Sequence, residues 1–206
     1  MNLASELAGL VDQFEPIARP GGVGRVLMVM GGSRGAGAST VARELSRLCA
    51  QRAARGVWLF DLDFTDTAQA RATRVRGEAF DASFGRQTPW QLGTGSRLVM
   101  RESTQPQLFV SEIQTAPQTQ LKARLRTTPD YWQALREAID LAIIDAPGQS
   151  RAPLVLAPDV DGVILVADAR QHDQASLMAR REAIEAAGGV VAGVIVNRAA
   201  EAGQAA

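Results

Sequence analysis

Lysine, cysteine and histidine are nearly missing from this sequence, which contains one of each: Lys122, Cys49 and His172. A single cysteine cannot form an internal disulfide, and a single histidine cannot by itself build a zinc site or a Ser-His-Asp triad. Excess charge of one sign is missing too, because 22 basic and 22 acidic residues give a formal net charge of +0. This balance argues against nucleic acid as a partner and against binding to an anionic membrane surface.

Segments that direct a chain into a membrane are also missing. No signal peptide opens the sequence, and no apolar run reaches the roughly 18 residues that cross a bilayer. We therefore expect a cytoplasmic protein with no direct membrane insertion. At 206 residues the chain is long enough for one domain with a continuous core and too short for two comfortable ones.

Short apolar runs alternate with helical patterns along the chain. The runs that predict buried strands are 26–30, 57–60, 141–144, 162–167 and 190–196. Because these runs are uniformly apolar, they indicate a parallel sheet with helices on both faces. Helices are predicted from 41 to near Gly56, over 131–139 and over 175–187. The order predicts a doubly wound, mainly parallel α/β fold. Residues 64–120 have weak periodicity, although 108–113 fit one further strand.

The two ends of the chain differ from this central region. An apolar stripe predicts an amphipathic helix within residues 1–19, formed by Leu3, Leu7, Leu10, Val11 and Phe14. The stripe is expected to pack on protein, either on its own domain or on another subunit or a membrane-protein partner, and the hypothesis taken forward is the second. A main domain is expected over 20–198 and a disordered tail over 199–206.

A glycine-rich loop, GSRGAGAST at residues 32–40, follows the first predicted strand. Its spacing is that of the phosphate-binding loop G-x-x-x-x-G-K-[ST], except that Ala38 stands where the lysine belongs. In such loops backbone N–H groups converge on phosphate oxygens, and a hydroxyl, here that of Ser39, binds Mg²⁺. A glycine turn between strand and helix also occurs without any ligand, so the loop alone leaves both interpretations open. The candidate phosphate-binding residues are Gly32, Arg34, Gly35, Gly37, Ala38, Ser39 and Thr40.

Carboxylates end two of the predicted strands, where an α/β sheet places its ligand crevice. Asp61 and Asp63 follow the second strand, and Asp145 follows the run 141–144. One acid at a strand end is often only a helix cap or a solvated turn. Three acids in this order around a glycine loop indicate a metal site.

The order of these motifs resembles a known family. The segments GSRGAGAST, VWLFDLDF, DYWQALREAIDLAIIDAPG, DGVILVADA and VVAGVIVNR are similar to the cytoplasmic domain of the bacterial tyrosine kinases of polysaccharide export, a branch of the MinD/ParA-type P-loop ATPases. The likeness spans residues 20–198. It implies that Ser39, Asp61 and Asp145 hold Mg²⁺ beside ATP or ADP. By the same resemblance Asp61 and Asp63 are the catalytic acids, and Asn197 contacts the adenine base.

Departures from the family pattern weaken the expectation of enzymatic activity. Ala38 replaces the Walker lysine, Ser33 occupies the position of the second signature lysine, and no tyrosine follows Tyr131 to serve as a tail substrate. Loss of one charged hydrogen bond to phosphate costs about 1.5 to 3 kcal/mol, roughly 10- to 150-fold in affinity. Phosphoryl transfer suffers by about 10³-fold or more. We therefore expect ATP or ADP with Mg²⁺ to bind weakly or not at all.

Three functions are consistent with these features. The favoured one is a degenerate, pseudokinase-like protein of exopolysaccharide synthesis or export, which responds to nucleotide or acts as a scaffold for a membrane-bound polysaccharide co-polymerase or export protein. This partner would bring the protein to the inner membrane. Assembly of the chain into a homo-oligomer is a further open alternative. One alternative is an active ATPase or tyrosine kinase in which Arg34 or a partner's cation replaces the lysine. The other is a MinD/ParA-like positioning ATPase, which is less supported because both lysine positions are lost and no C-terminal amphipathic helix is present.

Overall fold

Parallel strands form the centre of the protein in the computed structural model. The structure describes residues 7–9, 11–12, 22–64, 66, 68–84, 87–148, 150–171 and 174–199. Predictions for the remaining positions, including Leu3, Leu10, Phe14 and His172, lie outside the described residues. The same holds for the predicted tail beyond residue 199.

Eight strands form the main sheet, and two more form a small separate one. The strands are β1 (Arg25–Gly31), β2 (Val57–Asp61), β3 (Val75–Asp81), β4 (Trp90–Leu92), β5 (Ser96–Ser103), β6 (Leu108–Thr115), β7 (Ala123–Leu125), β8 (Leu141–Ala146), β9 (Gly162–Asp168) and β10 (Val191–Asn197). The main sheet has the order β10-β9-β1-β8-β2-β6-β5-β3, and β4 pairs with β7. Neighbours from β10 to β6 are parallel, whereas β6-β5 and β5-β3 are antiparallel. The predicted doubly wound, mainly parallel fold is confirmed.

Helices cover both faces of this sheet. They are α1 (Ala38–Ala50), α2 (Ala68–Thr73), α3 (Pro129–Ala138) and α4 (Gln174–Ala186), with a 3-10 segment over Ala152–Asp159. On one face α1 buries Val41 and Leu45, and on the other α3 buries Trp132 and Leu135. Two apolar layers therefore enclose the central strands, as the uniformly apolar runs predict. Among the described helices, none is both long and apolar enough to span a membrane.

Two expectations from the sequence are wrong in detail. The run 190–196 predicts a buried strand, but β10 is an edge strand whose side chains alternate between half-buried and exposed. Val194 and Val196 are 48% and 52% exposed, because an apolar run cannot reveal which strand ends a sheet. The loop helix ends at Ala50 rather than near Gly56. The positive φ of Gly56, 105°, instead turns the chain into β2.

The region 64–120 contains the antiparallel extension of the sheet. Strand β6 confirms the strand expected over 108–113, whereas β3 exposes most of its side chains and so has no clear hydrophobic period. Aromatic contacts cover this end of the sheet. The ring of Trp58 lies 5.7 Å from that of Phe80 and 5.6 Å from that of Phe84, and such tilted or edge-on pairs stabilise beyond their buried area.

The described part of the N-terminal stripe packs on its own domain. Leu7 and Val11 are 2% and 1% exposed and belong to the apolar layer of α1. Beside them, Asp12 Oδ1 accepts a hydrogen bond from Arg52 Nη1 at 2.7 Å. For these two apolar residues the hypothesis of docking on another subunit is wrong, because both are buried in the apolar layer between α1 and the sheet of their own domain.

Candidate functional site

The glycine-rich loop joins the carboxyl end of β1 to the amino end of α1. Gly37 precedes α1 with a φ of 91°, a left-handed conformation that glycine adopts without strain. A Cβ at this position would lie 2.2 Å from Nδ2 of Asn197, so glycine is needed for space as well. The N–H of Val41 donates to Gly37 O at 3.0 Å, and the N–H groups before it have no partner within the helix. This helix end can therefore receive an anion.

Side chains at the end of β10 hold the loop by its carbonyl groups. Asn197 Nδ2 donates to Ala36 O at 2.9 Å, and Arg198 Nη1 donates to Gly35 O at 2.9 Å. Both contacts use loop carbonyl groups as acceptors and take up none of the loop N–H donors. They tie the loop to the end of β10.

A buried carboxylate anchors the arginine that holds the loop. Asp168 Oδ2 pairs with Arg198 Nη1 at 2.6 Å and with Arg170 Nη2 at 3.0 Å. The hydrogen bonds from Arg170 and then from Arg198 hold the pKa of the Asp168 carboxyl well below its usual range. Asp168 therefore stays charged at neutral pH and keeps Arg198 against Gly35.

A cavity of about 290 Å³ opens over the loop. Its wall is formed by Gly31, by residues 33–40 and by residues 146–148. Ala38 contributes only a methyl group at the position where the loop pattern has a lysine. Among the described lining residues Arg34 is the one cation, and its side chain is exposed. The cavity consequently offers backbone N–H groups and the guanidinium of one long, exposed side chain to an anion.

Two acids meet below this cavity, at the carboxyl ends of β2 and β8. The register of these parallel strands places Asp61 beside Asp145, and the two residues are 7% and 5% exposed. Burial, and then the charge of Asp145, raises the pKa of Asp61 to about 7. Burial also raises the pKa of Asp145, opposed by hydrogen bonds from Gln69 and Ser39. At both carboxyl groups, a proton, a hydrogen-bond donor or a cation that offsets the negative charge is therefore favoured.

One buried glutamine supplies hydrogen bonds to both acids. Gln69 of α2 is 1% exposed, and its Nε2 donates to Asp145 Oδ2 at 2.6 Å and to Ser39 O at 2.8 Å. Its backbone N–H donates to Asp61 Oδ2 at 3.2 Å. Arg43 Nη1 lies 3.4 Å from Oε1 of the same side chain. This contact orients the amide with its nitrogen toward Asp145.

These contacts decide whether Mg²⁺ fits between the acids. The two remaining carboxylate oxygens are also occupied, since Asp61 Oδ1 accepts from Asp63 N at 2.9 Å and Asp145 Oδ1 from Ser39 Oγ at 3.1 Å. Mg²⁺ requires oxygen ligands at about 2.0–2.1 Å in octahedral geometry, whereas Gln69 directs an N–H donor at Asp145. The arrangement does not fit Mg²⁺. Across the described residues, no three His, Cys, Asp or Glu side chains cluster as a metal site.

The structure brings together the three residues expected to hold a metal, Ser39, Asp61 and Asp145. The Ser39 hydroxyl donates to Asp145, and Gln69 links Asp145 to Asp61. Asp63 is exposed beyond the end of β2. The catalytic roles of Asp61 and Asp63 and the adenine contact of Asn197 stay predictions. Among the loop residues Arg34, Gly35, Ser39 and Thr40 are exposed, while Gly32 is buried.

Sequence reasoning missed the residues that support the site. The contact of Arg198 with the loop had a weak signal, because Arg198 follows Asn197 at the end of the last apolar run. Gln69 had none: it lies in the region of weak periodicity, in a six-residue helix. Only the packing of α2 against β6 and α1 brings its amide to the acids.

The parallel sheet, the glycine loop between β1 and α1, and the acids ending β2 and β8 define a P-loop ATPase fold of the MinD/ParA type. The chain is similar in structure to the chimerical protein CapA2B2, with 17% identity, a TM-score of 0.63 and coverage of 94% of this chain and 84% of that one. It is similar to the kinase domain of the Escherichia coli tyrosine kinase ETK, with 18% identity, a TM-score of 0.59 and coverage of 91% and 70%.

A positioning protein of the same class is also similar. The septum site-determining protein MinD from Pyrococcus horikoshii OT3, solved with Mg-ADP, has 18% identity, a TM-score of 0.60 and coverage of 84% of this chain and 70% of that one. No protein-family model and no curated protein matches the sequence. The fold is therefore shared with bacterial tyrosine kinase domains and with MinD/ParA-type ATPases.

Proposed function

We propose that this protein is a degenerate member of the tyrosine-kinase branch of these P-loop proteins. It acts in exopolysaccharide synthesis or export, bound to a membrane-bound co-polymerase or export protein at the cytoplasmic side. It responds to ADP or ATP, or serves as a scaffold, and does not transfer phosphate efficiently. The observation that carries this proposal is the glycine loop between β1 and α1, which turns at Gly37 and borders a cavity although Ala38 stands in place of the lysine.

Support for weak nucleotide binding comes from the loop itself. Gly37 keeps the left-handed turn before α1, and Asn197 and Arg198 fix the loop through its carbonyl groups. Backbone donors at a helix N-terminus bind phosphate without a lysine, although less tightly. Nucleotide is therefore expected to bind in the micromolar-to-millimolar range, or not at all.

Support for lost phosphoryl transfer comes from the acids. Efficient transfer uses a metal ion and fixed cations around the γ-phosphate. Here Ala38 supplies no charge, Gln69 donates to Asp145 Oδ2, and the Ser39 hydroxyl donates to Asp145 Oδ1. The residues given after Tyr131 include no further tyrosine that could serve as a phosphorylation site.

The alternative of an active enzyme depends on Arg34. This residue is exposed and lines the loop cavity, so its guanidinium is the candidate replacement for the lysine. If that alternative holds, purified protein releases radiolabelled phosphate from ATP, and both Arg34→Gln and Asp145→Ala abolish the release.

Calorimetric titration with ADP and ATP, each with and without Mg²⁺, tests the proposal. We expect affinities no tighter than micromolar that change little when Mg²⁺ is added. Low-nanomolar binding, or phosphate release that Asp145→Ala removes, would contradict it. Co-purification with a polysaccharide export membrane protein tests the partner separately.

A further inference from the structure

A second cavity, of about 340 Å³, lies on the other side of the loop, between its first residues and α4. It is lined by Gly32, Ser33, Arg34, Arg151, Ser176, Ala179, Arg180 and Ala183. No acidic residue is among these described lining residues. The cavity therefore gathers three guanidinium groups without a carboxylate.

These three arginines differ from two other arginines of the described chain. Arg181, the neighbour of Arg180 on α4, pairs with Glu185 at 2.8 Å, and Arg136 pairs with Asp161 at 3.0 Å. In the described part of the chain, by contrast, neither Arg34, Arg151 nor Arg180 has a carboxylate within ion-pair distance. Three uncompensated cations at one cavity repel one another unless an anion joins them.

Arg180 is held in position rather than free. Its Nη2 donates to Gly148 O and its Nη1 lies 3.4 Å from Ser150 O. Both acceptors belong to the loop that follows β8, next to the exposed Arg151. Burial, and then the charge of Arg151, lowers the pKa of Arg180. A guanidinium has five N–H donors, so donors remain for a ligand after these two contacts.

We propose that this cavity binds a phosphate-bearing anion, with Arg34, Arg151 and Arg180 as its ligands. Arginine suits this task because its planar fork matches the oxygens of a phosphate group. The cavity volume exceeds that of a single phosphate. Ser33 and Arg34 line both this cavity and the loop cavity. An oligophosphate is therefore the ligand class. The proposal goes beyond nucleotide binding at the loop and does not depend on it.

Titration with inorganic pyrophosphate, without divalent metal and at constant ionic strength, tests the site. Arg151→Gln changes an exposed side chain outside the loop, and we expect it to weaken pyrophosphate binding by about tenfold or more. The matched control is Arg181→Gln, which removes the same charge one position from Arg180 and is expected to leave the affinity unchanged. Absence of binding to the wild type, or equal weakening by both variants, would overturn the proposal.

Arginine modification by phenylglyoxal, followed by peptide mass spectrometry, locates the anion directly. Pyrophosphate is expected to protect Arg151 and Arg180 while Arg181 reacts at its original rate. Protection of Arg34 alone would place the anion in the loop cavity and overturn the proposal. A parallel reaction with ADP identifies the phosphate source. Protection of Arg151 by ADP as well as by pyrophosphate supports a nucleotide whose phosphates extend into the cavity, and protection by pyrophosphate alone supports a free oligophosphate.

Discussion

Replacing Gln69 by alanine tests whether its amide closes the metal position. The variant loses the hydrogen bond from Nε2 to Asp145 Oδ2 at 2.6 Å and the one to Ser39 O at 2.8 Å. A hydrogen bond to a charged group contributes about 1.5–3 kcal/mol and one to a neutral group about 0.5–1.5 kcal/mol. We expect Gln69→Ala to lower the free energy of unfolding by about 2–4 kcal/mol.

The same change opens space between the two acids. The side-chain N–H donor that faces Asp145 would then be gone, although backbone N–H groups still donate to Asp61. If Mg²⁺ binds the variant at a concentration 100 times its dissociation constant, it restores about 2.7 kcal/mol. The wild type should gain nothing comparable, because Gln69 already satisfies Asp145.

Thermal unfolding with and without Mg²⁺ measures both effects. For a chain of this size about 1 kcal/mol corresponds to roughly 2–4 °C, so a loss of about 5–15 °C that Mg²⁺ largely reverses is expected. Gln133→Ala is the control, because Gln133 is an exposed glutamine on α3. NaCl at matched ionic strength controls for screening. Equal stabilisation of the wild type and of Gln69→Ala by Mg²⁺ would refute the reasoning.

Three further predictions concern the acids, the loop and the N-terminal segment. Asp61 has a pKa of 3.8 in the unfolded state and of about 7 in the folded state. Between these pH values the folded state binds the extra proton, so the free energy of unfolding of the wild type falls as pH rises, by on the order of 4 kcal/mol. Urea unfolding at pH 4, 5.5 and 7 should show a smaller fall for Asp61→Asn than for the wild type, because only the contribution of Asp145 then remains. The exposed control Asp130→Asn should keep the full fall. Parallel pH profiles for Asp61→Asn and the wild type would count against the raised pKa of Asp61. Ala38→Lys should tighten ADP binding by roughly 10-fold or more in calorimetry, and an unchanged affinity in a folded variant would mean that the loop cannot present a cation to phosphate. Leu7→Ala should lower the free energy of unfolding by about 2–5 kcal/mol with no change of mass in light scattering, whereas a lower mass at unchanged stability would restore the idea of subunit pairing.

The features of this structure that can be predicted from the sequence are those that leave a pattern in a short stretch of residues. The runs 26–30, 57–60 and 141–144 are apolar throughout, which only strands covered on both faces require, and they form the centre of the sheet. The glycine loop and the acids at strand ends are also local features, because parallel strands must end at the same edge. The fold and the meeting of Ser39 with Asp61 and Asp145 could therefore be expected from the sequence.

Tertiary structure decided what depends on residues far apart in the chain. The amide of Gln69 reaches Asp145 across 76 positions, and Arg180 reaches Gly148 across 32. Neither contact leaves a period or a spacing in the sequence. The same holds for the exposure of β10, since its apolar run resembles those of central strands and only the sheet order makes it an edge. Sequence alone thus determined where the glycine loop lies, and packing determined that Gln69 bridges the acids that end β2 and β8.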